Sequence, residues 1–205
     1  MTGIRLLRRA LPVAVLLPLA LLGGAPPAAA APADPLHRVA EASERRLATA
    51  ADVAAVKWAT GTPVDDPARE GEVLARGRAL AAGAGLDPAV AERVLADQIA
   101  ASKTVQRALH RRWAVRPASR PATEPGGLAG VRGEIDAADR ALVAALAAAG
   151  SQRDAPACAG RLAVRRTHVA LERRLDGLRS RALAQSLASV CPGAGPRGTG
   201  VSAPG

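Results

Sequence analysis

Two long cationic side chains, Arg46 and Lys57, stand eleven residues apart in a stretch free of proline and glycine. On one helix that spacing is almost three whole turns, so both leave the same face about 16 Å apart along the axis. Such a pair can converge on one anionic ligand lying between them; taken alone, it reads as two charges on a solvated face. Asp66 and Arg69 follow three residues apart, and by themselves they read as a helix N-cap and a local ion pair. Ser102 and Gln106, at i and i+4, share a face with Leu95, Ile99 and Leu109, so a face that should pack offers two neutral hydrogen-bonding groups. Polar groups facing a core need partners, although the edge of a surface helix gives the same pattern. Arg132 adds one more cation, ordinary in isolation. Spacing by itself supports two cations on one helix face that could share a ligand, and no more.

Other chemistries find little support. His37, His110 and His168 lack close metal-ligand spacing, so no metal site is expected, and there is no Gly-rich phosphate loop, GxSxG or CxxC. His110-Arg111-Arg112-Trp113 reads as a helix end with cations near its C-terminus and a buried indole. The arginines from Arg161 to Arg181 form a solvated face or a polyanion-binding one, and the scarcity of aromatics argues against single-strand nucleic-acid recognition.

The elements that must position these groups follow a leader. Arg5, Arg8 and Arg9 precede an apolar run from Ala10 to Leu22 and then small residues, the pattern of a secretory signal peptide over residues 1–33, cut between about Ala28 and Asp34. An apolar core of about a dozen residues falls short of the roughly 20 that span a bilayer, so no membrane association is expected after cleavage. About 170 residues remain, enough for one domain with its own core over 34–191. Residues 192–205, rich in Gly, Pro and Ser, read as a disordered tail. The formal charge of +10 falls to about +7 without the leader arginines. Amid many arginines there are only two lysines, Lys57 and Lys103, which hints that a compact ammonium is wanted there. Both cysteines, Cys158 and Cys191, lie in the exported portion, where pairing is favoured, and are read as one disulfide.

Helical spacing dominates and strand alternation does not persist, so the fold class is all-α: a single helical domain of about five to six helices, closed by that disulfide near the C-terminus. A first long helix is expected from Pro35 to about Ala59, ended by Gly61-Thr62-Pro63. A second begins at Pro67 behind Asp66 and runs to about Ala82, with Gly83 and Gly85 as stops. A third runs from Asp87-Pro88 to about Trp113, Pro117 to Gly127 is a connection, and a fourth spans Ala129 to Ala149 before Gly150. In one straight helix Cys158 and Cys191 would be roughly 50 Å apart, so their segment must fold back. The turn is expected between Arg165 and Arg179, with Thr167-His168 and Gly177 as candidates.

In order, Val53-Ala54-Ala55-Val56-Lys57-Trp58, Pro63-Val64-Asp65-Asp66-Pro67-Ala68-Arg69, Val94 through Ser102, Trp113 through Ser119, and Arg132 with Ile135-Asp136 resemble the exported subclass of the all-helical chorismate mutases. The likeness covers roughly Leu36 to Cys191. It implies an isomerase that converts chorismate to prephenate by a pericyclic rearrangement, using no cofactor, and it implies a secreted or periplasmic homodimer. Carried onto matching positions, it implies Lys57 and Gln106 as catalytic groups at the ether oxygen. Arg46, Arg69 and Arg132 become carboxylate-binding cations, with Asp66 as a supporting carboxylate pairing with Arg69 or Lys57 in the empty site, and Ser102 as Gln106's polar neighbour. Two departures stand out: Gln106 where exported relatives can have a glutamate, and Val73 where a relative can place a glutamine. Competing expectations are an exported basic module that binds polyanions and a catalytically inactive relative.

Overall fold

The computed structural model describes residues 34–121 and 128–192. The expected leader, all of the tail beyond Pro192 and part of the Pro117 to Gly127 connection lie outside the described residues. The described residues contain helices and no strand: α1 (Pro35–Ala48), α2 (Ala50–Thr60), α3 (Pro67–Gly83), α4 (Pro88–Val115), a 3₁₀ turn (Pro117–Ser119), α5 (Leu128–Ala148), the single-turn α6 (Gly150–Arg153), α7 (Cys158–Glu172) and α8 (Gly177–Ser186). None is long and apolar enough to cross a membrane.

Four helix starts obey local capping chemistry. Asp34, Asp66, Asp87 and Asp176 each accept a backbone N–H of the turn they open, and the first three are followed by a proline at the first helical position. Asp34 also receives Arg165 of α7, at 2.9 Å. Burial works against the Asp34 charge, but the Leu36 N–H and the Arg165 guanidinium outweigh it and hold the carboxyl below the usual carboxylate range.

The expected first helix is interrupted at Thr49, whose hydroxyl donates to the Arg46 carbonyl at 2.8 Å, a back-bond that competes with the regular ladder. Arg46 therefore belongs to α1 and Lys57 to α2. Gly61, in the left-handed region at φ 67°, lets the Thr62 N–H reach the Lys57 carbonyl and closes α2 where expected.

The long α4 is the central member, packed by α2, α3 and α8, while α1 lies against α5, α7 and α8. Their shared core includes Leu36, Val39, Leu95, Val105, Leu142, Leu146 and Leu183, all essentially inaccessible to solvent. α3 and α4 approach closely at Gly77, where a β-carbon would sit 2.0 Å from a Leu95 methyl. Fully buried Gln98 on α4 donates to Ser43 Oγ of α1 (2.8 Å) and to the Ser186 carbonyl of α8 (3.0 Å), tying three helices through one amide.

Near the C-terminus the chain folds back as the cysteine spacing requires, and Cys158 and Cys191 are disulfide-bonded with Cα atoms 5.8 Å apart. The turn lies at 173–176, beside Gly177; Thr167-His168 sits inside α7 instead. It is built by Arg174 at φ 49°, with the Leu175 N–H bonded to the Ala170 carbonyl and the Arg174 N–H to that of Leu171. That is a Schellman end with arginine where glycine is usual.

Candidate active site

Five segments meet around a cleft of about 110 Å³. α1 contributes Arg46, α2 Lys57, the α2–α3 connection and α3 Asp66, Arg69 and Val73, α4 Ser102 and Gln106, and α5 Arg132. All seven residues singled out in the sequence as site residues therefore line one cavity. Glu70 and Lys103 line it too, with Val53, Ile99, Val131 and Ile135 as apolar walls. Five cations, Arg46, Lys57, Arg69, Lys103 and Arg132, outnumber two carboxylates, Asp66 and Glu70, in the lining itself, and carboxylates just behind it pair with Arg46, Arg69 and Lys103.

Each cation is held differently. Arg46 is buried, and its Nε donates to Asp139 of α5, also buried; no further hydrogen bond of the guanidinium is found among the described residues. A buried arginine with one nitrogen neutralised and its terminal fork uncommitted suits bidentate binding of a carboxylate. Lys57 is 7% exposed, and its ammonium donates to the carbonyls of Pro63 and Val64, both at 2.8 Å. An ammonium has three donors, so one remains. Burial lowers the Lys57 pKa from its usual 10.5; Asp66, Glu70 and Asp65 pull it back up, and Lys103 pushes it down further. Arg69 is braced by Glu72 (2.9 Å) and by Asp136 (3.5 Å), which also holds Arg76 at 2.7 Å. Arg132 is exposed, with no ion pair among the described residues.

The expected pairing of Asp66 with Arg69 or Lys57 is corrected. Asp66 accepts the backbone N–H of Arg69 at 3.1 Å as the N-cap of α3 and forms no ion pair among the described residues. An N-cap carboxylate is aimed along its own backbone, which turns it away from the guanidinium three residues on. Glu72 and Asp136 take that guanidinium instead.

The polar pair on α4 is real. Gln106, 4% exposed, donates from Nε2 to Ser102 Oγ at 3.0 Å, while its Oε1 is buried without a partner among the described residues. The Ser102 hydroxyl can donate as readily as accept, so the amide can turn over and present its NH₂ where Oε1 now lies. Val73 is buried in the lining and leaves an apolar patch. Among the described residues no group of three or more His, Cys, Asp or Glu side chains is arranged to hold a metal.

Sequence reasoning did not assign roles to Asp139, Asp136, Glu70 or Lys103. Asp136 and Asp139 had a signal, since they stand four and seven residues beyond Arg132 and share its helix face. Lys103 had only the rarity of lysine in this chain, and Glu70 had none: their carboxylate and ammonium meet at 3.0 Å across 33 residues of sequence.

Comparison with known proteins places these residues in a family context. A family model described as chorismate mutase type II matches residues 38–107. The secreted chorismate mutase of Mycobacterium tuberculosis is 32% identical over 185 residues, which is 90% of this chain and 92% of that protein. That of Mycolicibacterium smegmatis is 34% identical over 168 residues, 82% of this chain and 92% of that protein. The crystal structure of a chorismate mutase from Burkholderia thailandensis superposes with a TM-score of 0.73 at 36% identity, over 77% of this chain and 99% of that one.

Proposed function

The chain belongs to the chorismate mutase type II family, and from that premise we propose that its cationic cleft isomerises chorismate to prephenate. The observation that carries this reading is the composition of the lining: five cations against two carboxylates, with the terminal fork of buried Arg46, one Lys57 donor and the exposed Arg132 uncommitted. Chorismate is a dicarboxylate, and such a lining matches it in charge.

The rearrangement is a unimolecular pericyclic shift in which one carbon–oxygen bond breaks as one carbon–carbon bond forms. It calls for no nucleophile and no proton transfer. The protein must instead hold the substrate in its folded reactive conformer and exclude the extended ones. Arg46 and Arg132 do this by gripping the carboxylates, with Arg69 assisting, and planar guanidinium forks suit that geometry. As the ether bond breaks, negative charge grows on its oxygen. The remaining donor of Lys57 meets that charge, joined by Gln106 once Ser102 donates to its Oε1 and frees the amide NH₂. Donors fixed in advance around a developing charge cost no reorganisation, and losing one typically costs about 10²–10³ in rate. Asp66 supports the site through the cap that sets the start of α3 and through its favourable field at Lys57.

Incubating the purified protein with chorismate and following its loss together with the appearance of prephenate tests the assignment. Turnover is expected, falling about 10²–10³-fold in Lys57→Ala; undiminished turnover in that variant would overturn the role given to Lys57. The reading includes export, supported by the leader pattern and by relatives named as secreted, and a homodimer with no nucleic-acid partner. Sedimentation of the purified protein distinguishes dimer from monomer.

A further inference from the structure

The two carbonyls that hold the Lys57 ammonium belong to the α2–α3 connection, and this short segment has its own anchor. Asp65, the residue after Val64, accepts Arg107 Nη2 of α4 on both carboxylate oxygens at 2.7 Å and Lys103 Nζ at 3.1 Å. Lys103 also donates to both oxygens of Glu70 at 3.0 Å, and Glu70 accepts the Asp66 N–H at 3.3 Å. Lys103 and Arg107 are one helical turn apart, each immediately after a member of the Ser102 and Gln106 pair. One face of α4 thus presents the polar pair to the cleft while the adjoining face pins the connection that carries the Pro63 and Val64 carbonyls.

We infer that Asp65, clamped by Arg107 and Lys103, is a positioning residue for Lys57, an inference that rests on the reading of the cleft above. With two ammonium protons directed at fixed carbonyls, tetrahedral geometry sets the direction of the third. The carbonyls are fixed only as well as their segment is. Releasing Asp65 lets the segment drift, redirects the third donor and spoils charge stabilisation at the ether oxygen, while the arginines that grip carboxylates stay in place. Asp65 and Arg107 do not line the cleft, so their removal changes no direct contact with substrate. Both are exposed, so losing the pair perturbs the fold little.

The test compares steady-state kinetics on chorismate for the unmodified protein, Asp65→Asn, Arg107→Met, Arg107→Lys and the control Arg78→Gln, which breaks an exposed ion pair with Glu92 elsewhere. A small misplacement of a reacting contact can cost up to about 10² in rate, and we expect kcat to fall about 10-fold in Asp65→Asn and Arg107→Met. KM should stay within about twofold, the pattern of an interaction made in the transition state. Tm should move by no more than about 3 °C. Arg107→Lys should recover most of kcat, and Arg78→Gln should match the unmodified protein. The clamp is overturned if kcat in both variants stays within twofold of the unmodified protein, if KM rises in step with the loss, or if Arg78→Gln loses as much. An unmodified protein that leaves chorismate untouched overturns the reading of the cleft and this inference with it; active unmodified protein with unaffected variants overturns the clamp alone.

Discussion

At the residue scale, the cleft turns on how two side chains respond to protons. In the role proposed for it Lys57 must be charged to stabilise a developing oxyanion, and burial lowers its pKa from 10.5 in the free protein. Under that proposal the deprotonation that ends activity starts at lower pH than for an exposed lysine. We predict an alkaline limb in kcat/KM with an apparent pKa below 10.5. The corresponding limb in kcat should lie at higher pH, because a bound dicarboxylate favours the ammonium. On the acid side Gln106 has no proton to lose or gain, whereas a carboxyl there would donate only when protonated. The rate should therefore stay flat from mildly acidic to neutral pH. Profiles of both parameters check this; a sharp loss between those limits, or kcat/KM flat beyond pH 10.5, would contradict it. Residue types and spacing drew attention to Arg46, Lys57, Ser102 and Gln106, and the family resemblance joined Arg69 and Arg132 to them as a candidate site. Their partners were harder to read, because Asp139 lies 93 residues from Arg46 and nothing local encodes that meeting.

At the element scale, the starts marked by aspartate and proline were legible, whereas the break at Thr49 and one turn were not. Aspartate followed by proline predicts the openings of α3 and α4, since both signals act within one turn of chain. The α7–α8 turn was bracketed but not located, because its left-handed residue is Arg174, not glycine. That conformation costs an L-residue roughly 1–2 kcal/mol. Arg174 is exposed, and its side chain makes no hydrogen bond or ion pair among the described residues, so Arg174→Gly should relieve the strain and lose little contact. Against that gain stands the larger unfolded-state entropy of glycine, up to about 1 kcal/mol. The net expectation is a stabilisation of up to about 1 kcal/mol, read as a higher urea midpoint at unchanged slope; a lower midpoint would show that the arginine contributes a contact worth more than the strain.

At the scale of the whole molecule, the Cys158–Cys191 bond closes a long loop that joins α7 to the chain just past α8. In the chain-entropy model a loop of this length stabilises by roughly 4 kcal/mol. Reduction, or paired Cys→Ser substitution, should lower Tm by about 10 °C. Calorimetry with and without reductant checks this, and an unchanged Tm would mean that α7 and α8 are held by packing alone. The amino-acid sequence by itself determined the all-helical class, the starts of α1, α3 and α4, the cysteine pairing and the cationic character of the site residues. All of these follow from local spacing, capping and composition. Tertiary structure alone decided that Arg46 is neutralised by Asp139, that the Arg69 guanidinium reaches Asp136 while Asp66 only caps its helix, and that Lys57 rests on carbonyls pinned from α4. Those outcomes depend on which helix faces meet, and helix packing brings together groups whose separation along the chain carries no periodic signal.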